Sequence, residues 1–447
     1  MKKPLTLFLY LPLLVIVLCS GKAQADLLRD DSPITITGRV TEKGSGNPLA
    51  YATVTIKGQP IGVVSNLLGE FKFTFSDQFA SDTLAISMMG FETYYIIVKA
   101  IENRDKLVVV LLEKAVTLDP VLITDKVLTP QQIVEKAVQN IPLNYPQEPY
   151  LLNGFYRDFK KENSTYLALL EAAVTIYDKG YTKPSPSQKR RLQENIYINE
   201  IRKSKKVAYQ AKVYTALNLL DGMMLSNDVR YQQFGLDVTS TTYELERFSI
   251  IDDRVVYVIK SAYPWSSRIF IDVENFAVMQ IEMDAKWEGI HKNEWVMRDT
   301  IMNKTPFIRK NIKFKRYDDK YYLAYMNYSW QIIGFGKKSG KELFVSDFYQ
   351  ELLVNGIVTR SVVKPSKDAL MSADKILELQ TKPYNTEFWK SYNIIQEAPL
   401  NKKIVQDLEA KGSLDDQFKS SGTEDTSAVE DKENKSKSIK KKKRKNL

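Results

Sequence analysis

The chain has 447 residues, 44% of them apolar and 26% charged, which is enough for two or three domains with cores of their own. Its formal charge of +10 sits at the two ends: three lysines fall in the first 25 residues and eight basic residues in "KSKSIKKKKRK", so residues 26–434 carry about −1. A single histidine and a single cysteine exclude most metal-centred and relay chemistry before any fold is considered.

The chain opens with "MKK", an apolar run "LFLYLPLLVIVLC" and the small residues "AQA". This order predicts a secretory leader over residues 1–25, cleaved after Ala25. Cys19 leaves with it. Lipidation of Cys19 is disfavoured because Leu18 stands where a small residue is required. No later run of 18 apolar residues follows, so no further spanning helix is expected. The expectation is an exported protein, periplasmic or associated with the outer membrane, held by core burial without disulfides.

From Ile34 the pattern is that of strands: "ITITGRV", "YATVTIKG", "GEFKFTF", "DTLAISMMG", "TYYIIVK" and "KLVVVLLE". Period-two alternation is clear in Ile34, Ile36, Gly38 and Val40, and again in Phe71, Phe73 and Phe75. Turn residues punctuate these runs, and so many short strands predict an antiparallel sandwich. "ITGRVTEKGSGNPLAYATVTIKG", "GVVSNLLGEFKFTF" and "ISMMGFETYYI" together resemble the carboxypeptidase regulatory-like, transthyretin-like family over residues 33–113. The resemblance implies a β-sandwich of the kind found at the N-termini of exported envelope proteins. Gly69 is expected to hold φ > 0 at a hairpin. The family's usual Thr-Asp is replaced by Ser65-Asn66, and Asn can form the same local turn.

Residues 114–126 read as a linker. In "LTPQQIVEKAVQNIP", Thr129 is a good N-cap, Pro130 suits the first helical position and Gln132 completes a capping box. Ile133, Ala137, Val138 and Ile141 form the apolar face, and Pro142 is expected to stop the helix. Residues 127–400 then read as a larger, mostly antiparallel, curved β-sheet domain with a few helices. "SRIFIDVENFAVMQIEM" predicts one hairpin, and "YYLAYMNYSWQIIGF" with "KELFVSDFYQELLV" a longer one. Residues 185–245 are ambiguous, "TALNLLDGMMLSNDV" reading as helical or irregular. "NGFYRDF", "YLALLEAAVTIYDKGY", "IRKSKK" and "YNTEFWKSYNIIQEAPLNKKIVQDLE" resemble the region that follows the same module in exported bacterial proteins of unassigned function. That likeness brings no catalytic residues. Residues 401–447 read as a helical segment and then a Lys-rich tail, expected to be disordered from about Lys411.

Candidate chemistry is scarce. A zinc carboxypeptidase needs two His and a Glu as ligands, and His291 is the only histidine, so the module is expected as scaffold and not enzyme. His291 has no partner nucleophile, and there is no G-x-S-x-G elbow. "GFGKKSGKE", with Gly334, Gly340 and Lys341, has the wrong spacing for a phosphate loop and Glu342 where Ser or Thr should hold magnesium. It reads as a hairpin tip. Asp252-Asp253 and Asp318-Asp319 read as solvated turn acids. In "RYDDKYYLAYMNYSWQ" alternation puts Tyr321 and Tyr325 on one face, Tyr322, Tyr328 and Trp330 on the other. One face should be core; the other either stacks on sugars or an apolar ligand, or is buried by the chain itself.

No catalytic, cofactor-binding or metal residue is therefore assigned, and no cofactor. The reading is a non-catalytic envelope protein that binds or scaffolds another protein, a glycan or lipid. The alternative is a carrier of lipid or another apolar ligand, with an open curved sheet under a helix. Lower alternatives are a small outer-membrane β-barrel, argued against by charges such as those in "KFKRYDDKYY", and a carboxylate-only glycoside hydrolase. Nucleic acid is not an expected partner. The Lys-rich tail is expected to be solvated or to touch an anionic membrane surface.

Overall fold

The structure is a computed structural model that describes residues 33–114, 128–181, 194–205, 228–232, 236, 238, 241–261, 266–286, 301–371, 377, 380–396, 401–410 and 412–421. It is mainly β.

The N-terminal module contains β1 (Ile34–Glu42), β2 (Thr53–Ile56), β3 (Gly62–Val64), β4 (Glu70–Phe75), β5 (Thr83–Ser87), β6 (Tyr94–Ile97) and β7 (Leu107–Leu111). They form two sheets, β4-β1-β7 and β3-β2-β5-β6. Ile36, Val40, Phe71 and Phe73 from one sheet meet Val54, Ile56, Leu84 and Ile86 from the other in a single core. The expected antiparallel order holds except at β1 and β7, which run parallel. Gly38 shows why this pair needs a glycine: a Cβ there would lie 2.4 Å from the Leu107 carbonyl oxygen. Gly69 holds φ +76°, and a Cβ on it would meet Val40 O at 2.2 Å. Asn66 makes the expected turn, its Oδ1 accepting from the backbone N–H of Leu68 and of Glu70, both at 2.9 Å.

Helix α1 (Pro130–Gln139) opens the second part with the full capping box between Thr129 and Gln132. Pro142 does not end it. The helix breaks at Asn140, and Pro142 sits in the first turn of α2 (Ile141–Asn144), where no N–H is needed.

Then come β8 (Tyr150–Glu162), β9 (Thr165–Asp178), β10 (Glu194–Lys203), α3 (Asp228–Tyr231), β11 (Tyr243–Ile251), β12 (Arg254–Ser261), β13 (Ser267–Asp272) and β14 (Val278–Lys286). They are followed by β15 (Ile301–Lys304), β16 (Phe307–Tyr317), β17 (Lys320–Gly336) and β18 (Glu342–Val358). All eleven strands join one antiparallel sheet in the order β10-β9-β8-β18-β17-β16-β14-β13-β12-β11, with β15 added on β17. Among the described strands β10 and β11 do not pair with each other, so the sheet is open. Both expected hairpins form, β13–β14 and β17–β18.

The two faces of this sheet are buried against different partners. Tyr156, Ala172, Val174, Met326 and Leu352 belong to the same buried cluster as Ile133, Val134 and Ala137 of α1. Their neighbours Phe155, Ala173, Tyr325 and Leu353 point the other way and belong to the module's core cluster. With side chains alternating along a strand, the module closes one face, and the other is buried in the cluster to which α1 contributes. A bulge at Ala324 shifts the phase of β17, since Lys313 pairs with Tyr325 but Phe314 with Leu323. Tyr321 therefore joins the helix-covered cluster and Tyr325 the module's, correcting the single face read from alternation.

At the C-terminal end, α4 (Thr386–Ser391) adds Trp389 to the module-side core, and α5 (Asn401–Glu409) and α6 (Leu414–Ser421) follow. Phe418 of α6 is buried with Leu169, Ile404 and Leu408. The chain is thus ordered beyond Lys411, because a short amphipathic helix finds an apolar groove that composition alone does not reveal. The Lys-rich stretch, the leader, the linker, "TALNLLDGMML" and His291 lie outside the described residues.

Candidate functional site

The strands beneath the module carry a ladder of opposite charges. Register sets Arg202 of β10 against Glu171 of β9, Glu171 against Arg157 of β8, and Arg157 against Glu351 of β18. Residues paired across a sheet share a face, so four charges alternate in sign from strand to strand. Arg157 Nε donates to Glu171 Oε1 at 2.7 Å and its Nη1 to Glu351 Oε1 at 3.4 Å. Arg202 Nε donates to Glu171 Oε2 at 2.6 Å, and its guanidinium lies 4.3 Å from the Trp389 ring centre. Burial pushes the Glu171 carboxyl up, but Arg157 and Arg202 outweigh it and hold the group below its usual range.

Glu351 is less well compensated. Burial wins there over Arg157 and the phenols of Tyr349 and Tyr325, and its carboxyl is pushed up. Tyr349 and Tyr325 donate to its Oε2 at 3.0 and 3.2 Å. Tyr51 of the module stacks on Tyr325 with ring centres 5.3 Å apart and hydrogen-bonds Tyr349 at 3.2 Å. The ladder is thereby tied to the module.

Beside it, at the same seam, is a cavity of about 30 Å³. Thr53, Val64 and Ser87–Met89 form its module side; Asp252, Gln280, Lys313, Lys315 and Tyr325 contribute from the sheet. Lys313 Nζ donates to Tyr51 O at 2.8 Å, while Lys315 Nζ is buried without a hydrogen-bond partner. Burial pulls the Lys315 ammonium down to about 7, only partly offset by Asp252. It pulls the half-buried Lys313 down to about 8, offset by Glu282 and Asp252.

The Asp252-Asp253 turn was expected to be solvated and instead clasps the module. Both residues have positive φ, which fits a tight hairpin between β11 and β12. Asp252 accepts from Ser87 Oγ at 2.6 Å and Asp253 from the Tyr95 hydroxyl at 2.6 Å. Asp318-Asp319 closes β16–β17 in the same way, with Asp319 bound by Arg316 at 2.7 Å. A second buried cluster joins Arg230 of α3 to Asp178 at 2.6 Å and to Glu194, with Tyr150 donating to Asp178 at 2.8 Å.

Glu171, Glu351, Asp178 and Glu194 are thus ion-paired to arginines, whereas Asp252 and Asp253 are held by hydroxyl groups of the module. "GFGKKSGKE" is a hairpin tip, with Gly340 N donating to Gly336 O at 2.8 Å. Among the described residues no cluster of three His, Cys, Asp or Glu can hold a metal, and no helix is long and apolar enough to cross a membrane. The sequence reading missed the ladder and the lysine cavity altogether. The alternation Lys313-Phe314-Lys315 was the one available signal, because it places both lysines on one face.

On the module's outer side, Val108, Val110 and Leu112 are 68%, 49% and 44% exposed. Val108 and Val110 alternate along β7, the edge strand of its sheet, and Leu112 follows just beyond it. An open groove of about 420 Å³ runs beside them, lined by Arg39, Phe71, Lys106, Leu107 and Val108 among others.

No curated protein matches the chain. Solved structures with some likeness include a LolA superfamily protein from Nitrosomonas europaea, at 16% identity over 53% of this chain and 96% of that one, with TM-score 0.20. A DUF1329 family protein from Desulfovibrio piger gives 8% identity, 54% and 99% coverage and TM-score 0.25. A putative outer membrane lipoprotein-sorting protein domain from Vibrio parahaemolyticus gives 9%, 52%, 93% and 0.23. TM-scores this low establish no common fold. Residues 36–123 match the family model described as CarboxypepD_reg-like domain, which identifies the module as the domain its sequence resembles.

Proposed function

We propose that this chain is an exported, non-catalytic protein of the cell envelope, in which the module and the open sheet form one unit that binds another envelope component. The observation that carries this reading is the apolar pair Val108 and Val110 on an edge strand, with Leu112 exposed just beyond it. Such an edge offers unpaired backbone groups together with apolar side chains, a combination suited to a partner segment. The sheet's own two faces are already occupied by the module and by α1. The carboxylates Glu171, Asp178 and Glu194 are paired with arginines, which favours binding over acid-base chemistry as the property of this unit.

The test is capture from envelope fractions with the mature chain and with Val108→Lys/Val110→Lys. Retention of the same component by the wild type, lost in the variant while its unfolding midpoint is unchanged, is the expected result. Equal capture by both overturns the reading.

A carrier of lipid or another apolar ligand is the second reading. It is favoured by the open sheet and by the large apolar cluster on the side of α1, which includes Ile133, Val134, Ala137, Leu152, Val174 and Ile176. Native mass spectrometry of the purified chain distinguishes it, since a copurifying lipid released by Ile133→Asp supports the carrier.

A further inference from the structure

The cavity at the seam is lined by two lysines and one carboxylate, and one of the lysines has no hydrogen-bond partner. Lys315 is 8% exposed, lines the cavity, and its Nζ has no hydrogen-bond partner. An ammonium withdrawn from water without an acceptor is costly, so a site that keeps one has a use for it or a missing counter-charge. Lys313 lines the same space, with one of its three donors given to Tyr51 O. The carboxylate on the wall is Asp252, which accepts from Ser87 and is joined to neither lysine by an ion pair among the described residues. Glu282 stands next along β14 and accepts from Gln280 Nε2 at 2.7 Å.

Volume narrows the ligand. About 30 Å³ admits a single halide-sized ion or one or two waters, and is too small for a lipid headgroup or a sugar. Water would satisfy the donors of Lys315 but would bring no counter-charge to its ammonium. We propose that this cavity is a binding site for one small inorganic anion of halide size, held by Lys315 and Lys313. Because Ser87, Met88 and Met89 wall the same cavity from the module, the anion closes the seam and secures the module on the sheet. The site is separate from the β7 edge and stands whether or not that edge binds a partner.

The experiment is thermal unfolding of the mature chain in rising sodium chloride against sodium gluconate at equal ionic strength, for the wild type and for Lys315→Met. Gluconate is too large for the cavity and controls for screening. The wild type should gain on the order of 2–4 °C with chloride, saturating, and none with gluconate. Lys315→Met should lose the chloride-specific gain. Crystals grown in bromide provide a second readout, independent of whether that variant folds: an anomalous peak at Lys315 is expected. Equal responses to chloride and gluconate, an unchanged chloride response in Lys315→Met, or a cavity that holds only water in bromide overturns the proposal.

Discussion

Arg157 stands in register between two glutamates, donating to Glu171 at 2.7 Å on one side and to Glu351 at 3.4 Å on the other. Its Nη2 also reaches the Ile395 carbonyl at 3.2 Å, so one guanidinium ties two neighbouring strands to the segment after α4. Replacing it leaves the buried Glu351 with no arginine and Glu171 with Arg202 alone. Arg157→Met should cost roughly 3–5 kcal/mol in urea unfolding. Adding Glu351→Leu to the same variant should restore part of that loss, because Glu171 keeps Arg202 and the carboxylate left without an arginine is gone. A single-variant loss below about 1 kcal/mol would mean that water reaches the ladder.

Lys315 sets a pH dependence whose sign follows from burial. Its ammonium is pulled down to about 7, below the ordinary lysine value kept in the unfolded chain. Between those values the unfolded state binds more protons, so this residue makes stability rise with pH above about 7 and contributes its full penalty below. Lys315→Met removes the penalty. In chloride-free buffer the variant should exceed the wild type by roughly 2–4 kcal/mol at pH 6, with the difference shrinking toward pH 10. A difference that does not change with pH contradicts the assignment.

Gly69→Ala tests the module's backbone. A methyl group there would lie 2.2 Å from Val40 O in a left-handed conformation, so both strain and a backbone clash oppose it. The expected loss is about 2–3 kcal/mol by thermal unfolding. Gly44→Ala, also at positive φ but with open space around its Cβ, should cost about 1 kcal/mol.

Trp389 is the anchor that holds α4 to the sheet. It is 6% exposed, meets Phe155 edge-on at 6.4 Å and lies under Arg202. Trp389→Ala should cost about 3–5 kcal/mol and expose the chain from α4 onward to protease before the remainder. Cleavage at the same rate as in the wild type would contradict that role.

What the sequence disclosed was local. Phe71, Phe73 and Phe75 alternate as a strand should, Gly69 takes the φ its turn needs, and Thr129 with Gln132 closes its capping box. The ladder was not legible, because Arg157 and Glu351 are 194 positions apart and meet only through the register of β8 and β18. The bulge at Ala324 was equally hidden, and it alone decides that Tyr321 and Tyr325 face opposite ways. The lysines of β16 counted only as charges against a membrane barrel, because nothing in their own strand tells that a separate domain covers them.

The central claim is that the exposed edge of the module, and not the face beneath α1, meets the partner. Hydrogen exchange of the mature chain with and without soluble and detergent-extracted envelope fractions measures this directly. Slowed exchange confined to residues 106–112 is the result this account requires. Slowed exchange at 130–141 with 106–112 unchanged would contradict it and transfer the case to the carrier.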